Sequence, residues 1–320
     1  MFSNNCQKVV GPLANCLFIS ESNSGFPNRT KLYSTLPNTK ETSNGIGIAE
    51  NPRTICVHNI IPPHQFLITY QTEGTFGRFS DTMKEILFIS DLHLSQEYPD
   101  SLARFENFSS TLPKEVGQIF LLGDVFDFWI GDDGAETLGH HKIEKQLHQI
   151  SSSGVELFFL PGNRDFLVGQ DFASRTGCKL LPDPSIIEIG EKRVYLTHGD
   201  ALCIDDVEHQ QNRSVLLSSK WRKAFLDKSI EDRLDTALRL RQKSEESKQA
   251  KPMSIMDINQ PHLEEIMREN QVRTVIHGHT HKPAIHAFDL DGIEARRYVL
   301  GDWYTQNSVL TFRNGEFILE

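Results

Sequence analysis

Five short clusters of aspartate, histidine and asparagine stand out in this 320-residue chain, because these residue types donate oxygen or nitrogen to metal ions. Each cluster alone is typical of a surface turn or a cap. Six or seven such donors without a thiolate suit two Mn²⁺, Fe²⁺ or Zn²⁺ ions, and a metal pair clamps the attacking and leaving oxygens of a phosphoryl group. The combination therefore predicts hydrolysis of a phosphoester or phosphoanhydride. The clusters are Asp91-Leu-His93, Gly123-Asp124, Pro161-Gly-Asn163-Arg164-Asp165, His198-Gly-Asp200 and Gly278-His279-Thr-His281.

A short apolar run precedes every cluster. Runs that are hydrophobic on both faces indicate buried strands, and ligands bind at the C-terminal edge of an open α/β sheet, so the five clusters are predicted to converge. The runs are KEILFIS, QIFLLG, VELFFL, RVYLT and RTVIH. Helices are predicted between them at 135–151, 165–177, 213–245 and 257–270. Two hairpins are predicted, at Asp291-Gly292 and at Asn314-Gly315.

Composition narrows the class of protein. The formal net charge of −10 argues against general nucleic-acid binding, which usually needs an excess of Lys and Arg. The chain has no run of about 18 apolar residues, so no membrane span is predicted, while attachment to a membrane surface stays open. Five cysteines without a CxxC spacing indicate neither a disulfide framework nor a cysteine zinc site, which favours a reducing cytosol.

Residues 1–82 differ in character from the rest. They are rich in Ser, Thr, Asn, Gly and Pro, lack a sustained period, and carry six basic against five acidic residues. From Met83 the chain changes at once to the first buried strand. We therefore expect residues 1–82 to be a disordered or mistakenly translated leader and 83–320 to be the functional domain. An organelle transit peptide is the competing interpretation of the leader.

The chain resembles the calcineurin-like metallophosphoesterase superfamily in five ordered motifs, which are DLH at 91–93, GDVFD at 123–127, GNRD at 162–165, HGD at 198–200 and GHTH at 278–281. This resemblance implies an α/β fold, an α/β/β/α sandwich around a dinuclear metal site. The sequence around the motifs is similar to that of the UDP-2,3-diacylglucosamine diphosphatase (pyrophosphatase) family. That similarity spans essentially all of 83–320 and none of 1–82. It covers DVFDFWIGDD at 124–133, PGNRDFLVG at 161–169, HGDALCIDD at 198–206, SIMDINQ at 254–260 and HGHTHKPAIH at 277–286.

Carried over residue by residue, the resemblance implies two metal ions bridged by Asp124. The implied ligand sets are Asp91, His93, Asp124 and His281 for one ion, and Asp124, Asn163, His198 and His279 for the other. His277 is then left outside, as the histidine that ends a buried strand. Its i, i+2 spacing from His279 equals that of the other pair, so geometry alone leaves a pairing of His277 with His279 open.

Arg164 stands where many phosphomonoesterases of the superfamily have histidine, in GNHD. A histidine there is thought to assist a departing alkoxide, whereas phosphate, whose conjugate acid has a pKa of about 6–7, leaves without general-acid help. Arg164 is therefore expected to hold phosphate oxygens and to stabilise charge in the transition state. The alternative is a turn arginine paired with Asp165.

Residues 213–251 are predicted to form a helical lid. They carry eleven basic against six acidic residues, and their apolar positions suit an amphipathic helix pair. The lid would cover acyl chains and lean on an anionic membrane, although a surface helix packed on the core is the ordinary alternative. The resemblance implies substrate contacts at Asp206, Ser244 and Lys251, and Lys248, where the family often has asparagine, is a fourth candidate.

The resemblance implies an enzyme of lipid A biosynthesis. Water would attack the α-phosphorus of UDP-2,3-diacylglucosamine and release UMP and 2,3-diacylglucosamine 1-phosphate, with two Mn²⁺ as cofactors. The enzyme would lie on the cytoplasmic face of the inner membrane as a peripheral protein, without nucleic acid or an obligate protein partner. Two alternatives are a related nucleotide pyrophosphatase or phosphodiesterase, and a non-catalytic interaction protein on this fold. The residues expected to act on substrate are Asp124, Asn163, Arg164 and His279.

Overall fold

The computed structural model describes residues 84–251, 255 and 257–320, together with three short strands nearer the N-terminus. The chain divides into two compact units, residues 1–73 and 74–320. In the first unit, strand β1 (Phe18–Ser20) pairs antiparallel with β2 (Lys31–Tyr33), and β3 (Phe66–Leu67) is a two-residue strand. The remainder of the expected leader lies outside the described residues, so that expectation stays a prediction.

The second unit alternates strands and helices from residue 85 onward. Two short 3-10 helices, Asp132–Gly134 and Asp200–Leu202, follow two of the polar clusters. The remaining elements are β4 (Glu85–Ile89), α1 (Pro99–Ser110), β5 (Val116–Leu122), α2 (His141–Ser152), β6 (Glu156–Leu160), α3 (Gln170–Thr176), β7 (Lys179–Leu180), β8 (Ser185–Ile189), β9 (Lys192–Leu196), α4 (Val207–Leu216), α5 (Ser219–Leu226), α6 (Ile230–Ala250), α7 (Gln260–Glu269), β10 (Thr274–His277), β11 (Ala284–Leu290), β12 (Ile293–Val299), β13 (Leu310–Arg313) and β14 (Glu316–Leu319).

Two sheets carry the five predicted strands. One has the order β14-β13-β4-β5-β6-β7, in which β4 to β7 run parallel and β13 is antiparallel to β4. In the other, β11, β12, β10, β9 and β8 are neighbours in that order, with β12, β10 and β9 parallel. The parallel strands explain the continuous apolar runs, because both faces of such a sheet are covered.

The first sheet packs on both faces. Leu87 belongs to the core cluster that includes residues of α1, α2 and α3, while its neighbour Phe88 points to the opposite face, as the two-residue period of a strand requires. There Phe88 stacks on Phe120 with ring centroids 5.1 Å apart. Phe317 of β14 lies 4.9 Å from Tyr298 of β12, so the opposite face meets the second sheet. The predicted α/β sandwich is confirmed.

Both predicted hairpins are present. Asp291-Gly292 joins β11 to β12, and Asn314-Gly315 joins β13 to β14. All four residues have positive φ, between 54° and 84°, which is the geometry of the two-residue turns that match strand twist.

The helix boundaries required correction. Helix α1 was not predicted, because PDSLARFENFSS is polar and buries only Ser101 and Phe105 in its own span. Helix α2 begins at 141 instead of 135, since a 3-10 helix and turns occupy 132–140, and α3 begins at 170 instead of 165, since residues 165–169 form turns.

The lid forms three helices, not the predicted pair, and begins at Val207, not residue 213. We use the name lid for residues 207–251. Asp206 caps α4 by accepting the N–H of His209, and Ser218 caps α5 by accepting that of Trp221. Ser218 separates α4 from α5 and so interrupts the apolar period that the sequence alone suggests is continuous. No helix in the described part of the chain has the length and apolar character needed to cross a bilayer.

Arg233 fastens α6 of the lid to the sandwich. Its side chain is only 5% exposed, and its guanidinium donates to both carboxylate oxygens of Asp133, at 2.7 and 2.5 Å, and to the carbonyl of Ile130 at 2.7 Å. Arg239, six residues further along the same helix, pairs with Asp235 at the surface, where both side chains are at least 64% exposed. The two arginines therefore differ in burial while sharing a helix.

We expect Arg233→Ala to loosen α6. Loss of a bidentate charged contact costs about 1.5–3 kcal/mol, which corresponds to roughly tenfold or greater acceleration of amide hydrogen exchange in residues 230–247. Arg239→Ala is the matched control and should leave exchange nearly unchanged, because exposed ion pairs contribute about 0–1 kcal/mol. Hydrogen-exchange mass spectrometry measures both variants. Equal exchange in the two would contradict an anchoring role for Arg233.

Candidate active site

Five strand ends meet at one edge of the two sheets. The loops after β4 and β5 are joined by backbone hydrogen bonds from Asp91 N to Gly123 O, at 3.1 Å, and from His93 N to Asp124 O, at 3.0 Å. The loops after β9 and β10 are joined by the bond from Gly278 N to the carbonyl of His198, at 2.9 Å. Asp165 accepts the backbone N–H of Asp124, and Asp91 accepts that of His279, so all five clusters are linked and their predicted convergence is confirmed.

Asp91, His93 and His281 form the first of two groups of candidate metal ligands, which we call the ligand groups. Oδ1 of Asp91 lies 3.2 Å from Nε2 of His281 and 3.9 Å from Nε2 of His93, and the two Nε2 atoms are 3.3 Å apart. Burial would raise the pKa of Asp91, but His281, followed by His198 and His93, holds it well below its usual range. An ionised carboxylate and two imidazole nitrogens thus face one point, as a divalent cation requires.

Asp91, Asp124 and His198 form the second ligand group. Nδ1 of His198 lies 2.9 Å from the carbonyl of Leu122, which leaves Nε2 facing Oδ1 of Asn163 at 3.0 Å and Oδ1 of Asp124 at 3.5 Å. Burial would lower the pKa of His198, but the carboxylates of Asp124 and Asp91 raise it to about 10. The surroundings therefore favour positive charge at Nε2, and a divalent cation fits that demand. Asp91 is common to both groups, and the bridging role expected of Asp124 stays a prediction.

The ligand backbones lie in an unusual conformation. Asp91, His93, Asp124, His279 and His281 have φ values between 47° and 67°, in the left-handed region that non-glycine residues seldom adopt. Such conformations cluster at functional sites, where the surrounding structure holds them in place. These residues lie in the loops just after their strands, so the left-handed backbone belongs to the loops that carry the candidate ligands.

His279 and His277 differ in their surroundings. The backbone N–H of His279 donates to Oδ2 of Asp91 at 2.9 Å, and its ring lies 5.2 Å from that of His198. Burial and the neighbouring His198 hold the pKa of His279 well below its ordinary value, so its ring is neutral. His277 is fully buried, and its Nδ1 lies 2.9 Å from the carbonyl of Gly278. Neither His277 nor His279 belongs to a ligand group, so the metal-binding role expected of His279 stays a prediction.

Asp165 organises the loops that carry two of the predicted ligands. It is fully buried and accepts the backbone N–H groups of Asp124 at 3.2 Å, Val125 at 2.8 Å and Phe126 at 3.3 Å. It also accepts that of Gly162 at 2.8 Å. The alternative interpretation of Asp165 as the partner of the Arg164 side chain is therefore wrong.

Arg164 points toward the lid. Its backbone N–H donates to Oδ1 of Asp124 at 2.8 Å, and its guanidinium donates to Glu245 of α6 at 3.2 Å. The guanidinium borders a cavity of about 780 Å³ that runs between the ligand groups and the lid. The cavity therefore has a polar end, and its other wall is apolar. That wall includes Phe128, Trp129, Phe166, Leu167, Leu216, Leu217, Trp221, Phe225, Ala237 and Leu240.

Two of the candidate substrate contacts pair with each other. Nζ of Lys251 lies 2.8 and 3.0 Å from the two carboxylate oxygens of Asp206 and 3.1 Å from Glu208. Ser244 lines the same cavity. The side chain of Lys248 lies outside the described residues, so its substrate contact stays a prediction.

A family comparison follows from this arrangement. Residues 84–283 match the family model described as calcineurin-like phosphoesterase. The chain belongs to the calcineurin-like phosphoesterase family. The matched span contains every residue of both ligand groups. The fold class predicted from the sequence is that of this phosphoesterase family.

The phosphoesterase is similar to several proteins named UDP-2,3-diacylglucosamine hydrolase. It is 45% identical to the one from Haemophilus influenzae, over 69% of this chain and 91% of that protein. It is 44% identical to the one from Chromohalobacter salexigens, over 68% of this chain and 88% of that protein. For Aeromonas hydrophila the identity is 43%, over 73% of this chain and 97% of that protein. The family resemblance drawn from the motifs is confirmed.

Some residues of this phosphoesterase site were missed by sequence reasoning. Arg241 of the lid pairs at 2.5 Å with the buried Asp127, and burial, partly offset by Arg241, raises the pKa of Asp127 to about 6. Arg213 of α4 pairs with the buried Asp200 at 2.7 Å. Asp127 and Asp200 lie inside the GDVFD and HGD motifs, so these motifs could have indicated them. No local sequence pattern marks their partners Arg241 and Arg213.

We expect Asp165→Ala to lower the free energy of unfolding by about 3 kcal/mol or more, because it leaves several buried N–H groups without an acceptor, at roughly 1–3 kcal/mol each. Asp171→Ala, at an exposed position of α3, is the matched control and should stay within about 0.5 kcal/mol of wild type. Urea denaturation measures both variants. An Asp165→Ala protein as stable as the control would refute the organising role of this carboxylate.

Proposed function

We propose that this phosphoesterase hydrolyses the pyrophosphate bond of UDP-2,3-diacylglucosamine by attack of water on the α-phosphorus. The products are UMP and 2,3-diacylglucosamine 1-phosphate, and the reaction is a step of lipid A biosynthesis. The observation that carries the proposal is the cavity, in which an anion-compatible polar end adjoins an apolar wall of the lid. The name shared by the curated relatives supports the substrate.

The proposal includes two Mn²⁺ ions. The residues that would hold them are Asp91, His93, Asp124, Asn163, His198, His279 and His281. When bound, such ions supply Lewis-acid stabilisation of phosphoryl oxygens and an activated water. The chain's own contribution is to keep Asp91 ionised and His279 neutral, which the low pKa of each supports. His198, whose pKa is raised to about 10, would give up a proton on binding a cation.

Arg164 and His279 would act on the phosphates. The Arg164 guanidinium reaches the cavity but pairs with Glu245, so a phosphate group competes with that carboxylate for it. A planar guanidinium matches two phosphate oxygens and stabilises the charge that develops in the transition state. Asn163 offers its amide between Arg164 and His198, where the α-phosphate would lie. Because the leaving group is itself a phosphate, no general acid is required.

The lid would receive the acyl chains. Trp221 stacks on Phe225 with centroids 4.8 Å apart and lies 5.9 Å from Phe166 of the sandwich, so these rings border the cavity from both sides. Burial of a methylene group contributes about 0.8 kcal/mol, which favours long acyl chains over solvent. Asp206, Ser244 and Lys251 would contact the polar part of the substrate.

Peripheral attachment to the cytoplasmic face of the inner membrane is part of the proposal. Exposed apolar side chains on the lid support it, alongside the basic excess of 213–251. A diacylated substrate resides in a membrane, and lid residues that are both apolar and basic suit its anionic surface. The exposed apolar residues are Val207, Val215, Leu226, Leu238 and Leu240.

The first experiment measures Mn²⁺-dependent release of UMP from UDP-2,3-diacylglucosamine. We expect this substrate to be hydrolysed far faster than ADP-ribose or bis(p-nitrophenyl) phosphate, and chelation by EDTA to abolish the reaction. Asp124→Ala should reduce hydrolysis to background, because it removes a buried carboxylate of the second ligand group. Faster turnover of ADP-ribose or of the diester would favour a related nucleotide pyrophosphatase or phosphodiesterase. No turnover of any of them would favour a non-catalytic protein.

The histidines give a sharper comparison. His279→Gln and His281→Gln should each lower kcat by about a hundredfold or more, a loss typical of groups that stabilise transition-state charge. His277→Gln should lower kcat much less, since its ring is buried in the core and its Nδ1 lies against the carbonyl of the neighbouring Gly278. Steady-state kinetics, with circular dichroism to check folding, distinguishes them. Equal losses in all three variants would refute the assignment of His279 and His281.

Trp221→Ala tests the lipid wall separately from the metal chemistry. Removal of the ring should raise KM for the diacylated substrate roughly tenfold or more, from a loss of about 1.5–3 kcal/mol of apolar burial. Hydrolysis of bis(p-nitrophenyl) phosphate should change little, because that diester has no acyl chain. Lys220→Ala is the adjacent exposed control. A parallel loss on both substrates would argue against an acyl-binding wall.

A further inference from the structure

A loop between β12 and β13 touches the first ligand group from behind. We call residues 301–305 the support loop. Its Trp303 is fully buried and donates its backbone N–H to the carbonyl of Asp91 at 3.1 Å. The Trp303 indole N–H donates to Ser308 O at 3.3 Å, and Ser101 Oγ donates to Trp303 O at 3.2 Å. The loop is therefore fixed to the sandwich at several points.

Asp302 lies behind one of the predicted ligands. Its Oδ1 accepts the backbone N–H of Tyr304 at 3.0 Å, which orients the carboxylate, and its Oδ2 lies 3.5 Å from Nδ1 of His281. The other ring nitrogen of His281, Nε2, faces Asp91 and His93 at 3.2 and 3.3 Å. We infer that Asp302 is a positioning residue that accepts the Nδ1 proton of His281, so that Nε2 presents its lone pair to a divalent cation.

This geometry has a physical rationale. A histidine that binds metal through one nitrogen usually donates its other N–H to a carboxylate, which fixes the tautomer and ring orientation and raises the basicity of the ligand. Asp302 is 23% exposed, and its Oδ1 is held by the backbone of its own loop, so its Oδ2 keeps a fixed direction toward His281. An imidazole without such an acceptor divides its population between two tautomers, of which only one suits the site.

The same loop holds a second ligand. The ring of Tyr304 stacks on that of His93 with centroids 5.1 Å apart and planes within 3° of parallel. Tyr98 meets the edge of Tyr304 at 5.1 Å, so the stacked ring is itself supported. All three members of the first ligand group are thus backed by consecutive residues of the support loop.

The support loop lies outside the sequence motifs by which the site was predicted. It follows residue 283, where the family match ends, and none of the five polar clusters contains it. The inference rests on the proposed function, because it presupposes that the first ligand group binds a divalent cation. It adds a role for residues that the motifs do not assign.

The test is a calorimetric titration of the metal-stripped full chain with Mn²⁺. We expect Asp302→Ala to weaken binding of one ion by about 10–100-fold, the usual cost of losing such a partner, and to leave the other nearly unchanged. Asp302→Asn should fall between Asp302→Ala and wild type, because an amide oxygen still accepts the proton but lacks the charge. Asp171→Ala is the matched surface control and should bind as wild type does. Should Asp302→Ala fail to fold, the near-isosteric Asn variant carries the test.

A second readout observes the ring directly. Long-range ¹H–¹⁵N spectra of the Zn²⁺-loaded protein, with His281 assigned from a His281→Gln variant, should show an Nδ1–H that exchanges slowly with solvent in wild type and faster in Asp302→Ala. Unchanged Mn²⁺ affinity and unchanged exchange of this Nδ1–H in Asp302→Ala would overturn the inference while leaving the proposed function standing. Failure of wild type to bind Mn²⁺ would instead overturn the proposed metal centre and this inference with it.

Discussion

The buried carboxylate of Asp165 is the interaction on which the geometry of the site depends. It sits after β6 yet accepts backbone N–H groups from the loop after β5, and so locks two strand ends together. Four N–H groups would otherwise be buried without partners, which makes this one side chain a requirement for both loops. Asp124 and Asn163 lie on those loops, so the positions of two predicted ligands follow from a residue that itself points away from the cavity.

A second constraint is electrostatic. Several carboxylates and imidazoles are gathered in a centre from which water is largely excluded, and their pKa values move in opposite directions as a result. The pKa of His198 rises while that of His279 falls, although their rings are 5.2 Å apart. The difference comes from the carboxylates that surround His198, against the burial and the cationic neighbour that dominate at His279. The carboxylates of this centre favour positive charge beside them, which is why its donors and a divalent cation suit each other.

Much of this arrangement could be predicted from the chain because its signals are local. Each buried strand is a continuous apolar run, and each functional cluster follows directly, so the strand ends and the candidate ligands were found together. Both hairpins carry an Asx-Gly pair, which fixes the turn. The lid was predicted less well, since the cap at Asp206 begins it earlier and the cap at Ser218 divides it, neither of which its apolar spacing reveals.

Contacts between distant residues left no such signal. Arg241 meets Asp127 across more than a hundred positions, and Asp302 meets His281 from a loop with no helical or strand period. A sequence pattern records the environment of one segment, while an ion pair depends on how two segments are placed by everything between them. The polar helix α1 was not predicted for a related reason, because only two of its residues are buried.

The sheet order also bears on when the centre can form during synthesis. Strand β4, which delivers Asp91, lies between β5 and β13, and β13 ends at Arg313. The earliest strand of the sandwich therefore completes its pairing only after one of the latest has left the ribosome. The support loop at 301–305 emerges equally late. Nascent chains consequently carry the DLH and GDVFD motifs long before β13 pairs with β4 and before the support loop contacts Asp91, His93 and His281.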